Sequence, residues 1–291
     1  MRLIFDMGFD LRRRPGAPPK VVGHRGACDL APENTLASFE RAWRDGADII
    51  EMDVRLSADG HVVVFHDATV DRTTDGAGEV ATMSLAQLKR LDAGAWFSPE
   101  FAGERIPTLR EAAAWAKGRI GMLIELKFSP YGSFDPELAP LVLDILQDLE
   151  VLDQVATISY QPRALVQLKV LAPGVPAGPM RAPDHLLRIA AWLVGHWSSL
   201  ARVGVIRRRL LQPLTFTQAW GGDIVAPNIE VVTRPLVEAA HASGCAVSCG
   251  GLAWDYPVAI ALGIDTISSN NPGLIRALYL PADRTTTALT E

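Results

Sequence analysis

The chain is poor in cysteine, with three in 291 residues. Cys245 and Cys249 lie too close along one predicted strand to bridge each other, and Cys28 is remote. A disulfide framework is therefore excluded and a reducing compartment is expected. No uncharged apolar run approaches the roughly 18 residues that a membrane-spanning helix needs. No secretory leader is expected either: Asp6 and Asp10 interrupt the first eleven residues, and no apolar stretch follows Arg12-Arg13-Arg14. Excess positive charge is also missing. A formal charge of −5 argues against a nucleic-acid partner, and nothing in the sequence points to a protein partner. The first strand-like run is not followed by a Gly-rich fingerprint, which disfavours an open dinucleotide-binding sheet. What is present, 48% hydrophobic and 21% charged residues, is ordinary for a folded chain of one or two domains in the cytoplasm.

Residues 1–19 are expected to form a flexible tail ending in Pro15-Gly16-Ala17-Pro18-Pro19, and 281–291 a second tail, leaving 20–280 as one domain. Within it, short β-like runs alternate with amphipathic helical stretches. The predicted strands are Val21–His24, Asp48–Val54, Val62–His66, Met122–Lys127, Ala156–Tyr160, Val175–Pro179, Asp223–Pro227, Ala246–Cys249 and Asp265–Ser268. The clearest helices are Thr35–Asp45, Leu109–Lys117, Pro136–Glu150, Arg163–Leu171 and Arg234–Ser243. Such alternation signals parallel α/β architecture. The second and third strands break it, because too few residues separate them for a crossover helix. Asp59-Gly60 between them predicts a two-residue hairpin turn, which would set Asp53 opposite His66. Without that return strand eight remain, the number that closes a (β/α)8 TIM-type barrel.

Polar groups collect at the C-terminal ends of these strands, where barrel enzymes build their sites. His24-Arg25-Gly26 follows the first strand, Glu51 and Asp53 share one side of the second, His66-Asp67 ends the hairpin, and Glu125 and Lys127 share one side of a later strand. Three carboxylates in a small volume raise one another's pKa unless a cation intervenes. Oxygen-only ligands select a hard divalent ion, Mg²⁺ or Ca²⁺. A metal beside two cations, Arg25 and Lys127, suits a phosphate ester, and two histidines supply a proton acceptor and a proton donor.

The motifs His24-Arg25-Gly26, Pro32-Glu33-Asn34-Thr35, Gly46-Ala47-Asp48, Glu51-Met52-Asp53-Val54, Asp59-Gly60, His66-Asp67, Arg72-Thr73-Thr74 and Glu125-Leu126-Lys127 together resemble the glycerophosphodiester phosphodiesterase family. Leu91–Phe97 with Ile106–Leu109 is similar to that family's insertion before the Glu-Leu-Lys strand, here placed over 67–120. The resemblance is dense over 21–127 and thins beyond. It implies a distorted TIM barrel that hydrolyses glycerophosphodiesters to glycerol 3-phosphate and an alcohol. It further implies Glu51, Asp53 and Glu125 as metal ligands, His24 and His66 as the acid–base pair (His24 the base), and Arg25 and Lys127 on the phosphate. Attack by water or by a neighbouring substrate hydroxyl through a cyclic phosphate both fit. Asn34 either orients a ligand or caps the helix from Thr35.

Two stretches depart from the family. Where it shows a Trp-Thr-Val-Asn-like strand end, this chain reads Val247-Ser248-Cys249-Gly250-Gly251, and its Thr-Asp before a proline becomes Ser269-Asn270-Asn271-Pro272. Trp254 is either a replacement aromatic wall for the alcohol side or an exposed loop residue packed on a helix, the reading that residue type favours. Residues 181–222 read as a basic amphipathic insertion: 185–222 holds Arg188, Arg202, Arg207, Arg208 and Arg209 without an acid, behind an apolar helical pattern. Such a segment either covers the barrel or lies on an anionic membrane surface. The second case implies peripheral membrane contact and lysophospholipase D-type cleavage of a lysophospholipid. A barrel that binds phosphodiesters without turnover is the alternative from another class.

Overall fold

The computed structural model describes residues 9–14, 16–127, 135–180, 211–250 and 256–279. All nine predicted strands form: β1 Lys20–Gly23, β2 Ile49–Leu56, β3 Val62–Val64, β4 Gly121–Leu126, β5 Val155–Ser159, β6 Ala177–Pro179, β7 Ile224–Val225, β8 Ala246–Gly250 and β9 Thr266–Ser269. The described helices are α1 Leu36–Arg44, α2 Leu85–Leu88, α3 Leu109–Ala116, α4 Leu138–Asp148, α5 Pro162–Leu171, α6 Gln212–Ala219, α7 Arg234–Ala242, α8 Tyr256–Leu262 and α9 Pro272–Tyr279. Eight strands run parallel in the order β6-β5-β4-β2-β1-β9-β8-β7, with β3 antiparallel on β2. A parallel bridge between Met180 and Ala226 and the bond from Asp223 N to Ala177 O (2.7 Å) join β6 to β7. The fold is a nearly closed eight-stranded TIM-type barrel, as expected.

Strand alternation sorts the side chains into two cores. Ile50, Met52, Val54, Met122, Ile124 and Leu126 point outward and are buried under α1, α3, α4 and α5. A matching cluster on the other half includes Val225, Leu236, Val237, Val247, Ile264 and Ile267. Val22, Ile49, Leu123, Ala156, Ile224 and Ala246 point inward and fill the lower barrel. Advancing two residues from Ile49 along the same inner face reaches Glu51 and then Asp53; advancing from Leu123 reaches Glu125 and then Lys127. Each strand thus carries an apolar floor and a polar mouth on one face.

The segment expected to be a flexible tail is, in its described part, built into that floor. Leu11 is buried with Val22, Ile49 and Leu123, and the Phe9 ring lies where Gly121 has no side chain: a Cβ there would collide with Phe9 Cζ. Arg13 N donates to Asp265 Oδ1 (2.9 Å). Apolar residues in a Pro-rich segment found a buried partner that local sequence does not reveal.

The hairpin also corrects an expectation. Val54 faces Val64, Leu56 faces Val62, and Phe65 N donates to Asp53 O (2.9 Å), so Asp53 lies opposite Phe65 rather than His66. The turn has three residues, Ala58-Asp59-Gly60, closed by Ser57 N on His61 O (2.9 Å) and Gly60 N on Ser57 O (3.1 Å). Gly60 has φ 77°, the left-handed residue of such three-residue loops. One added turn residue shifts the register by one.

After β3 the chain leaves the barrel as a small lobe with its own core, in which Val63, Phe65, Val70, Val80, Leu88 and Ile106 are buried together. The lobe starts at His66-Asp67 and so holds that pair beside the mouth. Of the basic insertion, residues 181–210 lie outside the described residues, as does Trp254; the described end forms α6, with Leu214 and Thr217 buried.

Candidate active site

The two carboxylates of β2 and the one of β4 converge because the strands pair in parallel with Asp53 beside Glu125. Glu51, Asp53 and Glu125 are 3%, 1% and 6% exposed, and one carboxylate oxygen of each lies within 4.8 Å of the others. At such separations two like charges repel by about 3.5 kcal/mol or more even at an effective dielectric of about 20. Set against a total stability of about 5–15 kcal/mol, full ionisation needs compensation.

Part of it comes from two partly buried cations. Lys127 Nζ lies 2.9 Å from Asp53 Oδ1 and 2.6 Å from Glu125 Oε1. Arg25 donates its main-chain N–H to Glu51 Oε2 (2.7 Å), and its guanidinium Nε lies 3.5 Å from Asp53 Oδ2. Burial pushes Asp53 upward, but Lys127, His66 and Arg25 together hold it down at about 2. Glu51 and Glu125 are not rescued in this way. Burial, then Asp53 and Glu125, raise Glu51 well above the carboxylate range; burial lifts Glu125 to about 7 against the pull of Lys127. Asp53 Oδ1 and Glu125 Oε1 are buried and share the single Lys127 ammonium between them. A hard divalent cation fits this set of oxygen donors, and Glu51, Asp53 and Glu125 are the residues that could hold it.

Asn34 holds one of these carboxylates in place. Its Nδ2 donates to Asp53 Oδ2 (2.8 Å) and its Oδ1 accepts from Asp53 N (3.2 Å). The cap of α1 is instead Thr35, whose hydroxyl accepts from Ser38 N. Asn34 has φ 58°, a left-handed conformation that asparagine tolerates.

The histidines sit on either side. His24 follows β1, anchored by its N–H on Ser269 O (2.9 Å), with Nδ1 2.8 Å from Asn270 Oδ1. His66 Nδ1 lies 2.6 Å from Asp67 Oδ1, and its carbonyl accepts two bonds from the Arg55 guanidinium. Burial holds both imidazoles below their usual pKa; Arg25 adds to this at His24, while Asp53 opposes it at His66. Beyond His66 runs a chain of charge: Asp67 accepts from Arg72 (2.6 Å), Arg72 donates to both oxygens of Glu33 (2.8 and 2.7 Å), and Glu33 accepts from Arg25 (2.9 Å). Arg72 holds Asp67 down at about 2, although burial acts in the opposite sense. Sequence reasoning assigned no role to Glu33, Asp67, Arg72 or Asn270. The repeated pairing of motif charges, Pro32-Glu33 with Arg72-Thr73, was the available signal.

His24, Arg25, Asn34, Glu51, Asp53, His66, Glu125 and Lys127 therefore gather at one barrel mouth, while Trp254 lies outside the described residues. A cavity of about 490 Å³ opens there, with His24, Glu51 and Glu125 on one side and Asn228, Ser248 and Asn270 on the other. Among the described residues no helix is long and apolar enough to cross a membrane.

Residues 24–274 match the family model described as the glycerophosphoryl diester phosphodiesterase family. The chain is similar to a glycerophosphodiester phosphodiesterase of Caldanaerobacter subterraneus, 40% identical over 158 residues, 54% of this chain and 65% of that protein. In three such curated relatives the match spans 66%, 65% and 57% of the relative's length. Among solved structures it is similar to the glycerophosphodiester phosphodiesterase of Agrobacterium tumefaciens (30% identity, TM-score 0.69, 89% of this chain and 100% of that one). It is also similar to an Oleispira antarctica phosphodiesterase in complex with the product sn-glycerol-3-phosphate (27% identity, TM-score 0.70, 89% and 96%).

Proposed function

Because this chain belongs to the glycerophosphoryl diester phosphodiesterase family, we propose that it is a metal-dependent phosphoric diester hydrolase that cleaves a glycerophosphodiester to glycerol 3-phosphate and an alcohol. The observation that carries this reading is the convergence of three buried carboxylates, two partly buried cations and two histidines on one mouth. Glu51, Asp53 and Glu125 would hold one Mg²⁺ or Ca²⁺, whose Lewis acidity stabilises charge on the phosphate oxygens. The charges balance: three carboxylates against one divalent ion, Lys127 and Arg25 leave one positive charge, matching a phosphodiester monoanion. Arg25 and Lys127 hold that anion. His24 accepts the proton of the attacking water or neighbouring substrate hydroxyl. His66 gives a proton to the departing alkoxide, with Asp67 beside Nδ1 stabilising the imidazolium.

A panel of glycerophosphodiesters and lysophospholipids, assayed with Mg²⁺, Ca²⁺ and EDTA in turn, tests this. Turnover of a glycerophosphodiester that EDTA abolishes is expected. Turnover of lysophospholipids alone favours the membrane-surface reading of 185–222, and binding without turnover the non-catalytic one.

Protons and metal compete for the same oxygens, so metal affinity should depend on pH. Glu125 at about 7 and Glu51 above its usual range are protonated on the acidic side, and a neutral carboxyl must lose its proton before it binds a cation. Lowering the pH from 8 to 6 should therefore weaken binding at least about 10-fold, with proton release visible when calorimetry is repeated in buffers of different ionisation enthalpy. A flat affinity over that range would remove the carboxylates as ligands.

Asn34→Gly keeps the left-handed backbone and deletes only the amide that grips Asp53. Metal affinity is expected to fall about 10- to 100-fold, as for other residues that orient a ligand. Unchanged affinity by calorimetry would reduce Asn34 to a loop residue.

A further inference from the structure

We propose that Asn270 is a positioning residue whose side-chain amide locks His24 in the tautomer with Nδ1 protonated and Nε2 free to accept a proton. The inference rests on the reading of His24 as a proton-transfer group.

The lock is built from Asp29 outward. Asn270 follows β9, and its main-chain carbonyl accepts from Asp29 N (3.2 Å). Its side-chain Nδ2 donates to Asp29 Oδ1 (3.0 Å). A carboxylate offers only acceptors, so the NH₂ end of the amide must face Asp29. The carbonyl end is then turned the other way, and it meets His24 Nδ1 at 2.8 Å. An amide oxygen only accepts, so Nδ1 must carry the hydrogen and Nε2 the lone pair. With Nδ1 engaged, Nε2 is the nitrogen left for the cavity that His24 lines with Glu51 and Glu125.

The competing partner at Nδ1 is Cys28, whose Sγ lies 3.9 Å away. Its thiol, pushed up to about 12 by burial, is a weak donor that would favour the opposite tautomer. The shorter amide contact overrules it. The main chain fixes the geometry as well, since His24 N donates to Ser269 O, one residue before Asn270.

The two histidines are thereby alike in the nitrogen they engage and unlike in the charge of the group it meets. His66 Nδ1 faces the Asp67 carboxylate, which stabilises an imidazolium. His24 Nδ1 faces a neutral amide, which orients the ring without adding a counter-charge. That difference suits His24 to start the reaction as the unprotonated partner.

The test is ¹⁵N NMR of the imidazole nitrogens in the full chain, combined with steady-state kinetics on a water-soluble glycerophosphodiester; a His24→Gln variant assigns the His24 resonances. Wild-type protein should show Nδ1–H with bare Nε2. Asn270→Ala should move His24 toward Nε2–H and lower kcat about 10- to 100-fold, with KM within about 2-fold. Asn270→Asp, which restores an acceptor at Nδ1, should keep Nδ1 protonated, while its added counter-charge and the lost bond to Asp29 leave kcat between those of Asn270→Ala and wild type. A wild-type Nε2–H signal, or an unchanged tautomer in Asn270→Ala, overturns the inference, including when kcat falls, because the loss would then be structural. Full activity of His24→Gln instead overturns the catalytic reading of His24, and leaves the tautomer result to stand or fall separately.

Discussion

Glu125→Gln is expected to lower metal-dependent turnover by about 1,000-fold or more, equivalent to about 4 kcal/mol of transition-state stabilisation, within what a bound cation supplies. Glutamine keeps the shape of the side chain and one carbonyl oxygen but cannot present the anionic oxygen that Glu125 places within 4.8 Å of Glu51 and Asp53. The barrel should survive. Asp53 keeps its contacts with Lys127, Arg25 and Asn34, and removing one of three crowded acids relieves repulsion instead of creating a buried orphan charge. Thermal melting should accordingly be unchanged or slightly raised, while calorimetry shows metal affinity lost. Full activity in this variant would sink the ligand assignment.

His66→Gln is expected to cost about 100- to 10,000-fold in kcat, the range for a positioned proton donor, with metal affinity retained. That retention separates the histidine from the carboxylates. The backbone anchor is independent of the imidazole, because Arg55 bonds to the His66 carbonyl, so loss of activity will not reflect a displaced loop. The effect should be largest for substrates with a poor leaving alkoxide and shrink for an activated aryl ester, whose departure needs little protonation. Equal losses on both substrates would count against His66 as the donor. Asp67→Asn should fall between wild type and His66→Gln, since it leaves the ring held by Nδ1 but removes the anion beside it.

Much of this site was legible because strand periodicity is strict. Two residues apart on a strand means one face, so Glu51 with Asp53 and Glu125 with Lys127 could be paired from spacing alone, and the alternation of strands and helices implied that those faces meet at one barrel mouth. Asp59-Gly60 announced a turn. It could not announce its length, because a three-residue loop and a two-residue loop share that dipeptide and differ only in the backbone path that the flanking strands accept. The register of His66 against Asp53 was lost there.

Other features depended on contacts between distant parts of the chain. Asn34 and Thr35 are both plausible caps by residue type; Thr35 took that role and freed Asn34 to grip Asp53, because Asn34 turned left-handed. Arg72 reaches Glu33 across 39 residues, and Asn270 reaches His24 across 246. Phe9 and Leu11 fill the barrel floor only because Gly121 leaves room beneath it. The sequence by itself determined the strand count, the α/β order and which residue types stand at the strand ends, since these follow from local periodicity and residue type. Only the tertiary structure decided the hairpin register, the partner of each imidazole and the proton affinity of each carboxylate. Those depend on distance and desolvation in three dimensions, where a shift of one residue or a neighbour a few ångströms away changes the outcome.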